Sequence, residues 1–228
     1  LGLTSPYILI TSENIPTIRG ASQTYGMSLI PGTWVESIQI TKGAGSVVNG
    51  YESISGQINV ELQKPNTDIP LFFNTYANSM GRLELNTHYN TKISDKLSSG
   101  LYFHVNSNNQ QNDNNSDGFL DSPLSEQINV LNRWQYTNLE KGLVAFLNVR
   151  YLTDEKQSGE LDFSPISDRL TTNYWGSEVN TERFDSSLKF GYVNPDITYQ
   201  TLGVQFAYSD HDQNSYFGLN QYNINHQS

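Results

Sequence analysis

The sequence predicts a mostly β protein in two parts: a glycine-punctuated amino-terminal segment, then antiparallel strands of an incomplete transmembrane β-barrel, about seven of them. Three observations predict it. Apolar and polar residues alternate with period two over most of the chain after Pro70. The alternating stretches run ~10 to 14 residues, long for a soluble sheet. Their connections switch between very short and very long, as in barrels with tight turns at one rim and large loops at the other.

Composition points the same way. The 228 residues include 14 Tyr, 10 Phe and 3 Trp, alongside abundant Asn, Ser, Thr and Gln, a mixture suited to strands rather than helices. With no cysteine, disulfides and thiolate metal sites are excluded. A net charge of −10 repels a phosphate backbone, so nucleic acid is not an expected partner. The longest apolar run, Leu143–Leu147, is far short of the ~18 residues of a spanning helix. A mean hydropathy of −0.52 does not argue against a barrel, which hides its apolar residues at every second position.

In the first part, short apolar strands are expected at Tyr7–Thr11, Trp34–Thr41 and Gln57–Gln63, separated by glycine-rich turns. The boundary is placed at 66/67. In the second part the first strand is Leu71–Ser79. The next carries Leu83, Leu85, Thr87, Tyr89, Thr91 and Ile93 on one parity, against Glu84, Asn86, His88, Asn90 and Lys92 on the other. Leu101/Phe103/Val105, Ile128/Val130/Trp134/Tyr136, Leu143/Ala145/Leu147/Val149/Tyr151, Phe184/Leu188/Phe190/Tyr192 and Leu202/Val204/Phe206/Tyr208 mark the others.

Short links are expected around Ser94–Lys96, Glu140–Lys141 and Asn194–Asp196, and long ones over 109–126 and 154–180. Residues directly opposite in an antiparallel hairpin share a face. A three-residue link at Ser94–Lys96 therefore sets Ile93 opposite Leu97, Tyr89 opposite Leu101 and Leu85 opposite Val105. A link at Asn194–Asp196 sets Phe190 opposite Gln200 and Leu188 opposite Leu202. Seven strands do not close around a folded domain, so the chain is expected to be part of a longer protein.

Val35-Glu36-Ser37-Ile38-Gln39-Ile40-Thr41-Lys42-Gly43, followed by Ser46, Gly50 and Gly56-Gln57-Ile58-Asn59-Val60, resembles the closing section of the plug of TonB-dependent outer-membrane receptors. Tyr7–Thr11 and Ile15–Gly20 resemble the middle of that plug. Glu13-Asn14 stands where relatives have Asp-Gly, and Ala44 where they often have Pro. The stretch Tyr51–Gln57 resembles receptors of Bacteroidetes-type bacteria.

The resemblance implies that 1–66 is the C-terminal part of a plug and 67–228 the first barrel strands, in the outer membrane of a Gram-negative bacterium. It implies uptake of a scarce ligand, a metal chelate such as a siderophore. The implied partners are outer-membrane lipid and lipopolysaccharide, the small-molecule ligand, and an inner-membrane energy-coupling complex acting through a box upstream of these residues. Two alternatives stay open: a soluble β-sandwich binding carbohydrate on Trp134, Trp175 or loop tyrosines, and an outer-membrane adhesin without transport.

No catalytic motif is present: the chain has no phosphate loop, zinc signature or nucleophile elbow, and it is read as a non-enzyme needing no cofactor. Calcium is the one candidate ion. Asp113, Asn115, Asp117 and Asp121 occupy positions one, three, five and nine of an EF-hand-like loop, with Gly118 at the sharp sixth position but Leu124 at the twelfth, where a bidentate Glu is expected. The bland reading is a solvated polar loop. His88 and His104 fall on the polar parity of neighbouring strands, as diagonal neighbours suited either to a transition metal or to plain luminal contacts. The two long loops carry most of the net negative charge, a field that favours cations and cationic chelates within ~8–10 Å.

Overall fold

The computed structural model describes residues 7–17, 26–45, 53–197 and 199–228. It divides into two compact units, Leu1–Thr67 and Asp68–Ser228. Among the described residues there is no helix long and apolar enough to cross a membrane. Ile18–Gly20, Ser46, Gly50 and Tyr51-Glu52 of the sequence resemblance lie outside the described residues.

The first unit holds β1 (Ile8–Ser12), β2 (Ile15–Pro16), β3 (Val35–Lys42) and β4 (Gly56–Leu62), in the sheet order β2-β1-β4-β3. β1 runs parallel to β4, while β2 and β3 pair antiparallel with their neighbours. Leu9, Ile10, Leu29, Trp34, Val60 and Leu62 are buried and form its core. Glu13 and Asn14 both take positive φ, 53° and 63°, so Ser12 pairs with Ile15 across a two-residue hairpin. Such a turn favours Asn-Gly or Asp-Gly. Here Asn59 holds it from the side, its Oδ1 accepting from the Asn14 N–H at 2.8 Å. Gly56 has φ 153°, and a Cβ there would sit 2.6 Å from the Thr41 carbonyl oxygen; only glycine lets β3 and β4 meet at this point.

The second unit is one antiparallel meander of β5 (Leu71–Ala77), β6 (Arg82–Ser94), β7 (Leu97–Asn108), β8 (Leu124–Asn138), β9 (Leu143–Gly159), β10 (Gly176–Val193), β11 (Thr201–Phe217) and β12 (Asn220–Gln227). It has eight strands rather than seven. β12 escapes sequence reading because Tyr222 and Ile224 are the two apolar markers of Asn220–Gln227, too few to set one face against the other.

Two hairpins differ from their expected geometry. Tyr89 does face Leu101 and Leu85 faces Val105, but Ser94, not Ile93, pairs with Leu97, and a register shift between Lys92 and Ser94 restores the parity. A two-residue turn with a bulge thus replaces a three-residue link. Between β10 and β11, Phe190 faces Val204 and Leu188 faces Phe206. The connection covers 194–200, since Asn194 Oδ1 accepts from the Asp196 and Ile197 N–H groups and holds a wider turn. The expected loop over 154–180 is shorter as well. β9 continues to Gly159 and β10 starts at Gly176, because their far ends are charged strand and not loop.

Candidate functional site

The eight-stranded sheet is inside out. Its polar parity is buried: Asn86, Asn129 and Arg133 are at most 1% exposed, and His88, His104, Gln127, Asp154, Arg183 and His211 are buried with them. Its apolar parity is open: Leu71, Phe73 and Phe206 are 65–70% exposed, and Leu83, Leu101, Ile128, Leu147, Leu188 and Phe190 are exposed too. Each large side chain left in water forfeits ~1.5–3 kcal/mol. Roughly a dozen of them forfeit more than the ~5–15 kcal/mol that a fold has in hand. The apolar face therefore requires an apolar medium; among the described residues these side chains stand open.

The buried face carries a continuous hydrogen-bonded ladder over β6–β9. Arg82 Nη2 donates to Glu84 Oε2 at 3.0 Å, and Asn86 Nδ2 donates to Glu84 Oε1 at 2.9 Å. Asn106 Nδ2 donates to His104 Nε2 at 2.9 Å. The ring proton is then on Nδ1, which lies 2.7 Å from Asn86 Oδ1. Asn106 Nδ2 also donates to Gln127 Oε1 at 3.4 Å, Gln127 Nε2 donates to Asp154 Oδ1 at 2.9 Å, and Lys156 closes the run on Asp154 Oδ2. A second row lies alongside: Arg150 Nε donates to Asn129 Oδ1 at 2.9 Å, and Arg183 grips Asp185 with Nε and Nη2 at 2.7–3.0 Å. Buried polar groups are tolerable only when satisfied in this way.

Strand parity announces that these residues share a face. It does not announce the chain of partners, which depends on register: Asn86 faces His104, His104 faces Asn129, and Asn129 faces Leu152. His88 faces Tyr102 as expected, yet the two histidines serve different partners, His88 with Nε2 2.8 Å from Asp68 Oδ2 and His104 within the ladder.

The long loops pack on each other. Phe119 bridges to Glu160, Leu120 N–H donates to Gly159 O, and Leu161 N–H donates to Gly118 O. Arg169 lies 5.0 Å over the Tyr216 ring and pairs with Glu178. The Tyr216 hydroxyl and Glu178 hold its guanidinium above the ordinary range. Of the four candidate calcium donors, Asp113 accepts from the Asp117 and Gly118 N–H groups at 3.1 and 3.0 Å, Asn115 Oδ1 from Asp117 N–H, and Asp117 Oδ1 from Phe119 N–H. Asp121 Oδ2 is taken by Asn114 instead. Among the described residues no group of three or more His, Asp or Glu is gathered to hold a metal.

No family model matches the sequence, and no curated protein does. Solved structures do. The chain is similar to the ferric-catecholate import receptor Fiu from E. coli K12, with a TM-score of 0.65, 14% identity, and 91% of this chain and 32% of that one covered. It is similar to the FrpB iron transporter from Neisseria meningitidis, at 0.63 and 12%, covering 92% and 34%. It is also similar to the siderophore receptor PirA from Acinetobacter baumannii, at 0.61 and 14%, covering 100% and 36%. The chain thus spans about a third of the length of these receptors. At such identities the likeness is one of backbone, and it establishes that this chain has the fold of part of these receptors.

Proposed function

We propose that the chain belongs to an outer-membrane receptor of a Gram-negative bacterium that takes up a scarce small ligand, a metal chelate such as a siderophore, with energy delivered through TonB-type coupling. The observation that carries this reading is the inversion of the eight-stranded sheet, with exposed Leu, Ile and Phe on one face and buried Asn, Gln, His and Arg on the other. A lipid-facing wall with a polar inner side needs that arrangement; a water-soluble sheet needs the reverse. The similar structures support it, each being described as an iron or siderophore receptor or transporter.

In this reading Asp68–Ser228 supplies wall strands, and the Glu84-to-Lys156 ladder lines the bore. Leu1–Thr67 supplies the end of a plug. The chemistry is non-covalent: the inner face offers amide, imidazole and guanidinium groups and holds them by hydrogen bonds rather than in a reactive arrangement. A carbohydrate-binding sandwich is disfavoured because these apolar side chains are exposed among the described residues, where a sandwich buries them against a second sheet.

The test is made on the full-length protein. Membrane fractionation is expected to recover it in the detergent-soluble outer-membrane fraction, and cells carrying it are expected to accumulate a radiolabelled ferric chelate only while the proton-motive force is intact. Recovery in the aqueous fraction refutes the wall. Stable membrane insertion with no energy-dependent uptake across a panel of chelates leaves the adhesin reading in its place.

A further inference from the structure

The segment that leads into β5 is tied to the buried face by side chains. Pro70 O accepts from the Asn90 N–H at 2.8 Å, but proline has no N–H to return, so the β5–β6 ladder ends one-sided there. Side chains extend it. Asn90 Nδ2 donates to Ile69 O at 2.8 Å and to Asp68 Oδ2 at 3.1 Å. The same Asp68 oxygen lies 2.8 Å from His88 Nε2, while Asp68 Oδ1 accepts from the Ile69 N–H at 2.8 Å. The His88 ring is held between Phe72, at 5.0 Å and 11°, and Tyr102, at 4.7 Å. His88 and Asn90 are 3% and 4% exposed and the Asp68 side chain is 12% exposed, so the tie is partly screened from water, which strengthens such bonds.

β5 is the strand that the upstream segment enters, and its ladder with β6 is seven pairs long. Tension arriving from the preceding chain acts on its first pair, Leu71 with Tyr89, and peels a ladder one pair at a time. Asp68 and Ile69 stand ahead of that pair. We propose that Asp68, His88 and Asn90 form a clasp that stops tension on the upstream segment before it reaches the β5–β6 ladder, so that the preceding unit can be pulled or rearranged without unzipping the wall. The source of the tension rests on the transport reading; the clasp itself does not.

Two measurements on the full-length receptor in lipid nanodiscs test it. In hydrogen–deuterium exchange without load, D68A and N90A are each expected to speed exchange of the 71–77 amides about tenfold while 143–152 stays unchanged. H88F keeps a ring between Phe72 and Tyr102 and is expected to give a smaller rise in the same segment. In single-molecule pulling from the amino terminus, D68A is expected to lengthen the first extension by about 24 Å, the span of seven extended residues. Unaltered exchange at 71–77 in all three variants overturns the clasp, as does an unaltered extension. Failure of energy-dependent uptake with these shifts intact overturns the transport reading and leaves the clasp standing.

Discussion

Tyr151 on β9 donates its hydroxyl to Glu182 on β10 at 2.7 Å, and this pair sits where the outward face changes character. On one side of it lie Val149, Leu147, Ala145 and Leu143, beside Phe184, Leu188, Phe190 and Tyr192; on the other lie Thr153, Glu155 and Gln157, beside Asn180 and Glu178. A phenol with an apolar ring and a hydrogen-bonded tip is the side chain expected at a hydrocarbon–water boundary. Leu143 to Tyr151 is about 26 Å of strand, at the short end of the roughly 9–11 residues of a transmembrane β-strand.

That boundary is measurable. Nitroxide labels at Leu147→Cys and Glu155→Cys of the full-length protein in nanodiscs are expected to differ by electron paramagnetic resonance, the first relaxed by oxygen dissolved in lipid and the second by a water-soluble nickel chelate. Equal access of the nickel reagent to both sites contradicts the membrane placement of β9.

Leu188 lies mid-band, opposite Leu147 and Phe206. Leu188→Arg is expected to cost ~2–4 kcal/mol in a folding equilibrium measured in lipid, whereas Thr153→Arg, past the boundary, is expected to cost ~0–1 kcal/mol. Similar small losses from both remove lipid from the account of the outward face.

Asp154 anchors the end of the inner ladder, receiving Gln127 and Lys156. Asp154→Ala strands both donors and is expected to lower stability by ~1–3 kcal/mol. Asp154→Asn, which keeps an acceptor, is expected to lose less. Denaturant midpoints of the two variants decide, and equal losses point to packing rather than to hydrogen bonding.

Asp113, Asn115, Asp117 and Asp121 stand as a calcium proposal. Asp113, Asn115 and Asp117 already accept N–H groups from residues further along the same loop. Millimolar calcium is expected to slow protease cleavage between Asn109 and Pro123 several-fold, and Asp113→Ala is expected to abolish the protection. No heat in calorimetric titration of the folded receptor removes the proposal.

Much of this protein is legible residue by residue. The alternation at Leu83–Ile93 or Leu143–Tyr151 reports which side chains share a face, and a face assignment needs only the geometry of one strand. Alternation fades past Tyr151, where both parities are polar, and is thin over Asn220–Gln227, where Tyr222 and Ile224 alone mark a face. There the strands are held by backbone ladders to their neighbours rather than by contrast between two media, and sequence reading stops short.

The sequence by itself determined the strands, their two unlike faces and the acidic long loops, because these depend on each residue's chemistry and its parity. Tertiary structure decided the bulge beside Ile93, the wider turn after Val193, the eighth strand, and the partners that join Glu84 to Lys156. Those outcomes depend on which carbonyl meets which N–H across a ladder. A one-residue slip alters every such meeting while leaving the composition of each strand untouched.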